Sequence, residues 1–263
     1  GWCAQRPVHR CTLSLLLVTL LVWCGACGGA SGAGAAEETA QEGPRPLTGA
    51  EADRLARTRV SAYRAGLRAV DGVVVTDEGT VTLQGWIDTV EHWAYALVSG
   101  PGVKPFLAVW SPGAVAARED RASGRPVAPL PIPADNGWSV FPLDPDTSRL
   151  AAAQILLVSL SNDRPENAQL LRQDGATWLR QDRVGEVPVD VMTGPVRDGR
   201  AESSFRYWVD ADGRLLRLEA RLDGQHWSTF NFNDLPDTEL DLPEVLESVL
   251  AGDDTSAPIA TTG

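Results

Sequence analysis

The sequence predicts an α+β domain built on an antiparallel sheet, and three observations lead to this class. A segment with helical periodicity comes first, a series of runs with alternating apolar residues follows, and the same order then repeats. The alternating runs are separated by short segments rich in Asp, Gly and Pro, which favour tight turns between neighbouring strands. Some runs, such as 105–110, are apolar at successive positions, which predicts a sheet covered on both faces.

The first half of the domain is predicted as one helix and a meander. The helix covers 47–70, because Thr48 and Glu51 have the spacing of a capping box and Asp71-Gly72 supplies a stop signal. The Pro-rich segment 122–133 is predicted to be a loop. The strands between them are predicted over 73–76, 80–87, 92–99, 104–111 and 113–118.

The second half of the domain repeats this order. Asp144 is expected to cap a second helix with Pro145 at its first position, and this helix runs to about Ser161. A short helix over 166–173 and a second meander follow, in which Asp212-Gly213 forms the turn of the clearest hairpin. The predicted strands of this meander are 177–181, 186–193, 205–210, 215–222 and 226–232.

The composition argues against several classes of function. The chain has 263 residues and a net charge of −12, whereas a nucleic-acid-binding surface needs clustered Lys and Arg to neutralise phosphates. The three histidines, His9, His92 and His226, lie far apart, so neither a histidine metal site nor a cofactor is expected. The motifs G-x-S-x-G and H-E-x-x-H and a Gly-rich phosphate loop do not occur in the sequence. We therefore do not expect an enzyme.

The first 27 residues contain all four cysteines and predict export. Two arginines precede the 14-residue apolar run from Cys11 to Cys24, which is shorter than the roughly 20 residues of a spanning helix and typical of a secretory signal peptide. The motif CGAC at 24–27 resembles the bacterial lipobox. Residues 1–26 are therefore predicted to be a signal peptide, and Cys27 is predicted to be acylated. The alternative is an ordinary secreted protein in which Cys27 is incidental.

Composition also divides the rest of the chain. The acylated cysteine and a flexible tether rich in Gly, Ala, Glu and Pro occupy 27–46, and a single α+β domain occupies 47–235. An acidic, mostly disordered tail is predicted over 236–263, with 242–250 as its one candidate helix. This arrangement places the domain on the outer face of the cytoplasmic membrane, attached through the acyl chains on Cys27.

Aromatic residues in the strands are the candidates for a binding site. Six of the seven tryptophans after Cys27 lie in predicted strands, and bulky tryptophan is rarely buried completely. Strand alternation puts three residues of each of three strands on one face: Trp93, Tyr95 and Leu97; Phe106, Ala108 and Trp110; Phe205, Tyr207 and Val209. These nine residues are predicted to line an apolar cavity for acyl chains. The alternative is that they fill an ordinary core.

The hairpin at 207–222 (YWVDADGRLLRLEARL) resembles a late hairpin of the form W-V-D-x-x-G-R-L-x-R. This hairpin is found in lipid carriers of the lipoprotein-localisation-factor type and in the LppX/LprG-like lipoproteins. Segment 165–191 resembles the helix, strand and turn before it, and the lipobox, tether and first helix match in order. The resemblance implies a curved antiparallel half-barrel with an N-terminal helix and a central helical insertion on its concave face. It also implies an apolar cavity and no catalytic residues.

Three hypotheses about function follow from the sequence. The first is a membrane-anchored extracytoplasmic lipoprotein that binds lipid or lipoprotein acyl chains in an apolar cavity and carries or presents them. The second is an envelope scaffold or protein-interaction module with the same sheet, a filled core and no ligand. The third is a cell-surface hydrolase with paired carboxylates, whose spacing is spatial and not visible in a sequence. Apolar space on the order of hundreds of Å³ would favour the first hypothesis.

Overall fold

The computed structural model describes residues 43–122, 124–197, 199–235 and 239–250. Within them, helices α1 to α4 cover Gly49–Ala65, Arg149–Val158, Ala168–Gln173 and Glu244–Leu250. Strands β1 to β6 cover Arg45–Pro46, Leu67–Thr76, Gly79–Asp88, Trp93–Gly100, Val103–Trp110 and Ala114–Glu119. Strands β7 to β12 cover Ser139–Pro142, Thr177–Val184, Val187–Thr193, Phe205–Val209, Leu215–Ala220 and Ser228–Asp234.

The twelve strands form one antiparallel sheet that is open and curved, so the predicted α+β class is confirmed. Their order is β1-β8-β9-β10-β11-β12-β2-β3-β4-β5-β6-β7. The two predicted meanders therefore join where β12 pairs with β2. Helices α1, α2 and α3 pack on the concave face, which we call the helix side, and cover the main core there.

Helix α1 begins as predicted and ends earlier. The backbone N–H of Glu51 donates to the Thr48 hydroxyl at 3.3 Å, and the N–H of Thr48 donates to the Glu51 carboxylate at 2.8 Å, so the capping box is confirmed. Arg45 also donates to the Glu51 carboxylate at 2.7 Å and, together with the capping bonds, lowers the pKa of Glu51 to about 2. The helix ends at Gly66, where φ is +71°.

The predicted stop at Asp71-Gly72 is wrong, because both residues lie inside β2. Asp71 pairs with Gln84 of β3 on one side and with Asn231 of β12 on the other. Pairing on both sides makes β2 a central strand, and it takes residues 67–70 into the sheet. Local turn signals are outweighed here by pairing with strands that are distant in sequence.

The opposite face of the sheet, which we call the tail side, is covered over β3 to β6. The connection between β6 and β7, which includes the Pro-rich segment, contributes Ala128, Ile132 and Trp138 to this second core, and the C-terminal segment contributes Leu246, which is 1 % exposed. The predicted helix over 242–250 is confirmed as α4. Residues 239–250 thus pack against the sheet, beyond the predicted domain boundary at 235. Cys27, the predicted signal peptide and residues 251–263 lie outside the described residues.

Small residues on the helix side allow the sheet to curve under the helices. At Gly85, in the middle of β3, a Cβ atom would collide with the backbone of Tyr95 and Ala96 on the neighbouring strand. Ala94, Ala96 and Ala108 continue this stripe across β4 and β5, and all three are fully buried. Glycine inside a strand is typical of a place where another backbone approaches closely. This stripe leaves room for α2 against the sheet.

The turn between β10 and β11 packs against α1. The buried Asp210 carboxylate accepts hydrogen bonds from the N–H groups of Asp212 (2.9 Å) and Arg214 (2.8 Å) and from Nε of Arg214 (2.7 Å). Gly213 has φ +82°, and a Cβ there would lie 3.1 Å from the carbonyl oxygen of Arg54 in α1. The hairpin interpretation of Asp212-Gly213 is therefore confirmed.

Replacing Gly213 by alanine is expected to cost more stability than replacing Gly224. Both glycines have φ near +80°, so each alanine should lose about 1–2 kcal/mol from the left-handed backbone. Only Gly213 faces α1; a Cβ at Gly224 has no neighbour within 4 Å, so Gly213→Ala should lose about 1 kcal/mol more. Urea unfolding of the two variants measures the difference. Equal losses would show that the turn does not press on α1.

Candidate ligand-binding groove

The nine residues predicted to line a cavity lie on both faces of the sheet. The register of β4 and β5 pairs Ala94 with Trp110 and Ala96 with Ala108, so these four residues share the helix side. Trp93, Tyr95 and Leu97 alternate with the alanines and face the tail side. The remaining predicted residues, Phe106, Phe205, Tyr207 and Val209, pack on the helix side. One cavity cannot include all nine.

The three tail-side residues belong to a filled core. Trp93, Tyr95 and Leu97 are all buried. The Tyr95 ring stacks on Trp86 with ring centroids 5.9 Å apart, and its hydroxyl donates to the carbonyl of Pro129 at 2.9 Å. Burial raises the pKa of Tyr95, so its hydroxyl stays protonated. The Pro-rich segment and α4 leave these side chains no access to a ligand.

The centre of the helix side is filled as well. Ala108, Trp110 and Val209 are fully buried, and Nε1 of Trp110 donates to the carbonyl of Gln154 in α2 at 2.8 Å. A buried indole with a satisfied N–H is typical of a core position. Three of the six helix-side candidates are partly exposed. Phe106 lies on β5 and Phe205 and Tyr207 lie on β10, on opposite sides of the central strands of the sheet.

An open apolar groove of about 370 Å³ lies between α2 and the edge of the sheet formed by β5, β6 and β7. Eight apolar residues line it: Phe106, Val115, Ala117, Phe141, Pro142, Leu143, Leu150 and Ala151. Phe141 is 52 % exposed although it faces the helix side through its pairing with Val115. The one charged residue in the lining is Asp144, whose carboxylate accepts the N–H of Asp146 at 3.0 Å. The groove therefore offers apolar contacts with few polar ones.

Sequence reasoning found one residue of this groove, Phe106. It missed Phe141 because β7 has four residues and lies in a segment rich in Pro, Gly and Asn, which gives no strand signal. It placed Leu150 on a helix correctly, but periodicity does not show which strands that helix meets. The helix itself begins at Arg149 with Ser148 as its cap, whereas Asp144 was the predicted cap.

A larger cleft of about 710 Å³ lies beside the start of α1 and is lined by charged groups. An ion pair between Arg54 and Asp190 crosses it, and Nε1 of Trp178 donates to the Asp190 carboxylate at 2.9 Å. Val209 is the one predicted residue in its lining. Because Asp190 already has two partners, the cleft is better explained as a seam between α1 and the sheet than as an acyl-chain site.

Two further findings concern the described part of the chain. It contains no helix that is both long and apolar enough to cross a membrane. Within the same residues, no three His, Cys, Asp or Glu side chains come together as ligands for a metal ion.

No protein-family model matches the chain, and no curated protein matches its sequence. Among solved structures, it is similar to the MucA/MucB complex of Pseudomonas aeruginosa, with 14 % identity over 70 % of this chain and a TM-score of 0.35. The match spans 55 % of that chain, about half its length.

Two other solved structures are similar over 73 % of the chain. A putative outer membrane lipoprotein-sorting protein domain from Vibrio parahaemolyticus is 13 % identical over 95 % of its own length, with a TM-score of 0.27. A DUF1329 family protein from Desulfovibrio piger is 10 % identical over 99 % of its length, with a TM-score of 0.25. The function proposed below rests on the residues of this chain.

Proposed function

We propose that the chain is an exported envelope lipoprotein that binds one acyl chain in the groove between α2 and β5–β7. The observation that carries this proposal is an open groove whose lining is apolar and includes the half-exposed Phe141. The lipobox-like motif ending at Cys27 and the hairpin at 207–222 support the exported, lipid-anchored part of the proposal. No catalytic residue is needed.

The size of the groove restricts what it can bind. Ligand sites commonly measure about 300–1,000 Å³, and a groove of about 370 Å³ is at the lower end of that range. Each methylene that leaves water for such a surface contributes about 0.8 kcal/mol. A single acyl chain therefore gains useful affinity here. The filled centre of the helix side excludes a ligand from the position of Ala108 and Trp110.

The second candidate is an envelope interaction module without a lipid ligand. The observation that favours it is the same filled centre, since six of the nine predicted cavity residues are buried in packed cores. The two candidates differ in whether the groove binds an acyl chain, which one substitution tests.

Replacing Ala117 by tryptophan is expected to weaken acyl-chain binding at least tenfold while the protein stays folded. Ala117 lies on β6, is partly exposed and lines the groove, so a larger side chain would fill space that the ligand needs. Binding is measured with a fluorescent fatty acid on the purified protein, and thermal unfolding reports whether the fold is kept.

Val140→Trp is the matched control. Val140 lies on the neighbouring strand β7, pairs with Ala116 and is 46 % exposed on the tail side, so its replacement should leave binding unchanged. If the wild-type protein shows no saturable binding, or if Ala117→Trp binds as the wild type does, the groove is not an acyl-chain site and the interaction module is the better explanation.

A further inference from the structure

Another pocket, of about 430 Å³, lies far along the sheet from the apolar groove. It is built on β10, and six strands separate β10 from β6 in the sheet order. Arg197, Arg200 and Arg221 line its rim, and the rings of Phe205 and Tyr207 form its floor. The two rings lie 6.3 Å apart. We call this site the arginine pocket.

The arginines of this pocket differ in their partners. Arg221 donates to the Glu202 carboxylate at 2.9 Å, and the other acidic residue of the lining, Glu166, lies 3.7 Å from Arg59. Arg200 donates to the neutral hydroxyl of Ser204 at 2.6 Å. Among the described residues, neither Arg197 nor Arg200 has a carboxylate within 4.0 Å.

Two guanidinium groups that have no carboxylate partner among residues 43–122, 124–197, 199–235 and 239–250 are notable in a chain whose net charge is −12. Carboxylates are abundant in this chain. Its described residues form thirteen ion pairs, some at this rim and the others elsewhere. Guanidinium groups bind phosphate and carboxylate oxygens through paired N–H donors and keep their charge at any physiological pH. The rim therefore attracts an anion.

The uncharged polar side chains of the lining are hydroxyls. Tyr207 contributes a hydroxyl, and burial raises the pKa of Tyr207, so this group remains a donor. Ser204 contributes a second hydroxyl beside Arg200. Two guanidinium groups and two hydroxyls supply more donors than one carboxylate can accept, whereas a phosphate group has several acceptor oxygens and about two negative charges.

We infer that the arginine pocket binds the phosphate group of an anionic ligand, with Arg197 and Arg200 as its charged contacts. The apolar floor of Phe205, Tyr207 and Leu222 suits a ligand whose phosphate is attached to an apolar group. An adjoining cleft of about 370 Å³ shares Arg200 and Arg221 and gives such a ligand room to extend. The source of the phosphate is either a lipid headgroup or a soluble phosphate compound.

Calorimetric titration of the full chain carrying Ala117→Trp, which fills the apolar groove so that the hexanoyl chains do not bind there, distinguishes these sources with three probes. They are inorganic phosphate, dihexanoyl phosphatidic acid below its micelle concentration, and dihexanoyl phosphatidylcholine, whose phosphate is shielded by a cationic choline. Binding of inorganic phosphate assigns the pocket to soluble phosphate compounds. Binding of phosphatidic acid alone assigns it to a lipid headgroup.

The double variant Arg197→Gln/Arg200→Gln is expected to weaken binding at least tenfold. Both side chains are exposed, so the variant should unfold at the temperature of the wild type. Arg183→Gln removes another exposed arginine, near the end of β8, and should bind normally. The inference is overturned if no probe binds saturably, if phosphatidylcholine binds as tightly as phosphatidic acid, or if the double variant binds as the wild type does.

Discussion

Replacing Trp110 by alanine is expected to lower the free energy of unfolding by about 3–5 kcal/mol. Trp110 is fully buried at the end of β5, and its indole N–H donates to the carbonyl of Gln154 in α2. The substitution would remove the largest side chain between the sheet and α2, together with its hydrogen bond to α2.

Urea unfolding of Trp110→Ala and Trp110→Phe at neutral pH measures this effect. Phenylalanine keeps an aromatic ring in the site and loses the hydrogen bond, so its loss should be clearly smaller than that of alanine. A loss below about 1 kcal/mol for Trp110→Ala would mean that the site holds spare volume and collapses easily. That result would favour the originally predicted cavity over the filled centre.

Local signals in the sequence predicted the parts of the fold that depend on local interactions. The capping box of Thr48 and Glu51 and the turn at Asp212-Gly213 each need only neighbours within a few residues, and both are present. The end of α1 shows the limit of such signals. The predicted stop was Asp71-Gly72, but β2 pairs with β12, more than 150 residues away in sequence, and α1 ends at Gly66 instead.

The faces of the strands could not be predicted where both are apolar. In β4 the run WAYALV places large side chains on one face and small ones on the other, and alternation alone does not say which face meets the helices. In the structure the alanines of β4 face the helices. The small residues Gly85 and Ala108 lie beside them on the neighbouring strands and let the backbones and α2 approach closely. The predicted cavity set was consequently divided between two cores.

The candidate sites depend on contacts that have no local signature. Phe141 lies on β7 and Leu150 on α2, and the pairing of β7 with β6 places Phe141 on the sheet edge that faces α2. Arg197 and Arg200 lie in the connection between β9 and β10, a segment with no predicted element. Arginine is common throughout this chain, so two more in a loop gave no reason to single them out.

The other large effect is expected at the ion pair of Arg68 and Asp234, which links the two meanders. Arg68 is 3 % exposed, and its Nε donates to the Asp234 carboxylate at 2.6 Å across the β2–β12 pair. Its Nη2 donates to the carbonyl of Leu215 at 2.6 Å, and its guanidinium lies 5.0 Å from the ring centre of Phe232. Burial lowers the pKa of Arg68, although not enough to discharge a guanidinium at neutral pH.

Asp234→Asn should therefore destabilise the fold by about 3 kcal/mol or more, because it leaves a buried cation without its counter-charge. The double variant Arg68→Met/Asp234→Leu removes both charges and should cost less than Asp234→Asn alone, although one partner is smaller. Arg68→Met by itself should fall between them, since the Asp234 side chain is 26 % exposed and water can solvate it. Urea unfolding of the three variants at pH 7 tests this order. If the double variant proves the least stable, the pair stabilises the junction of the meanders through its attraction, and the desolvation of Arg68 is the smaller of the two effects.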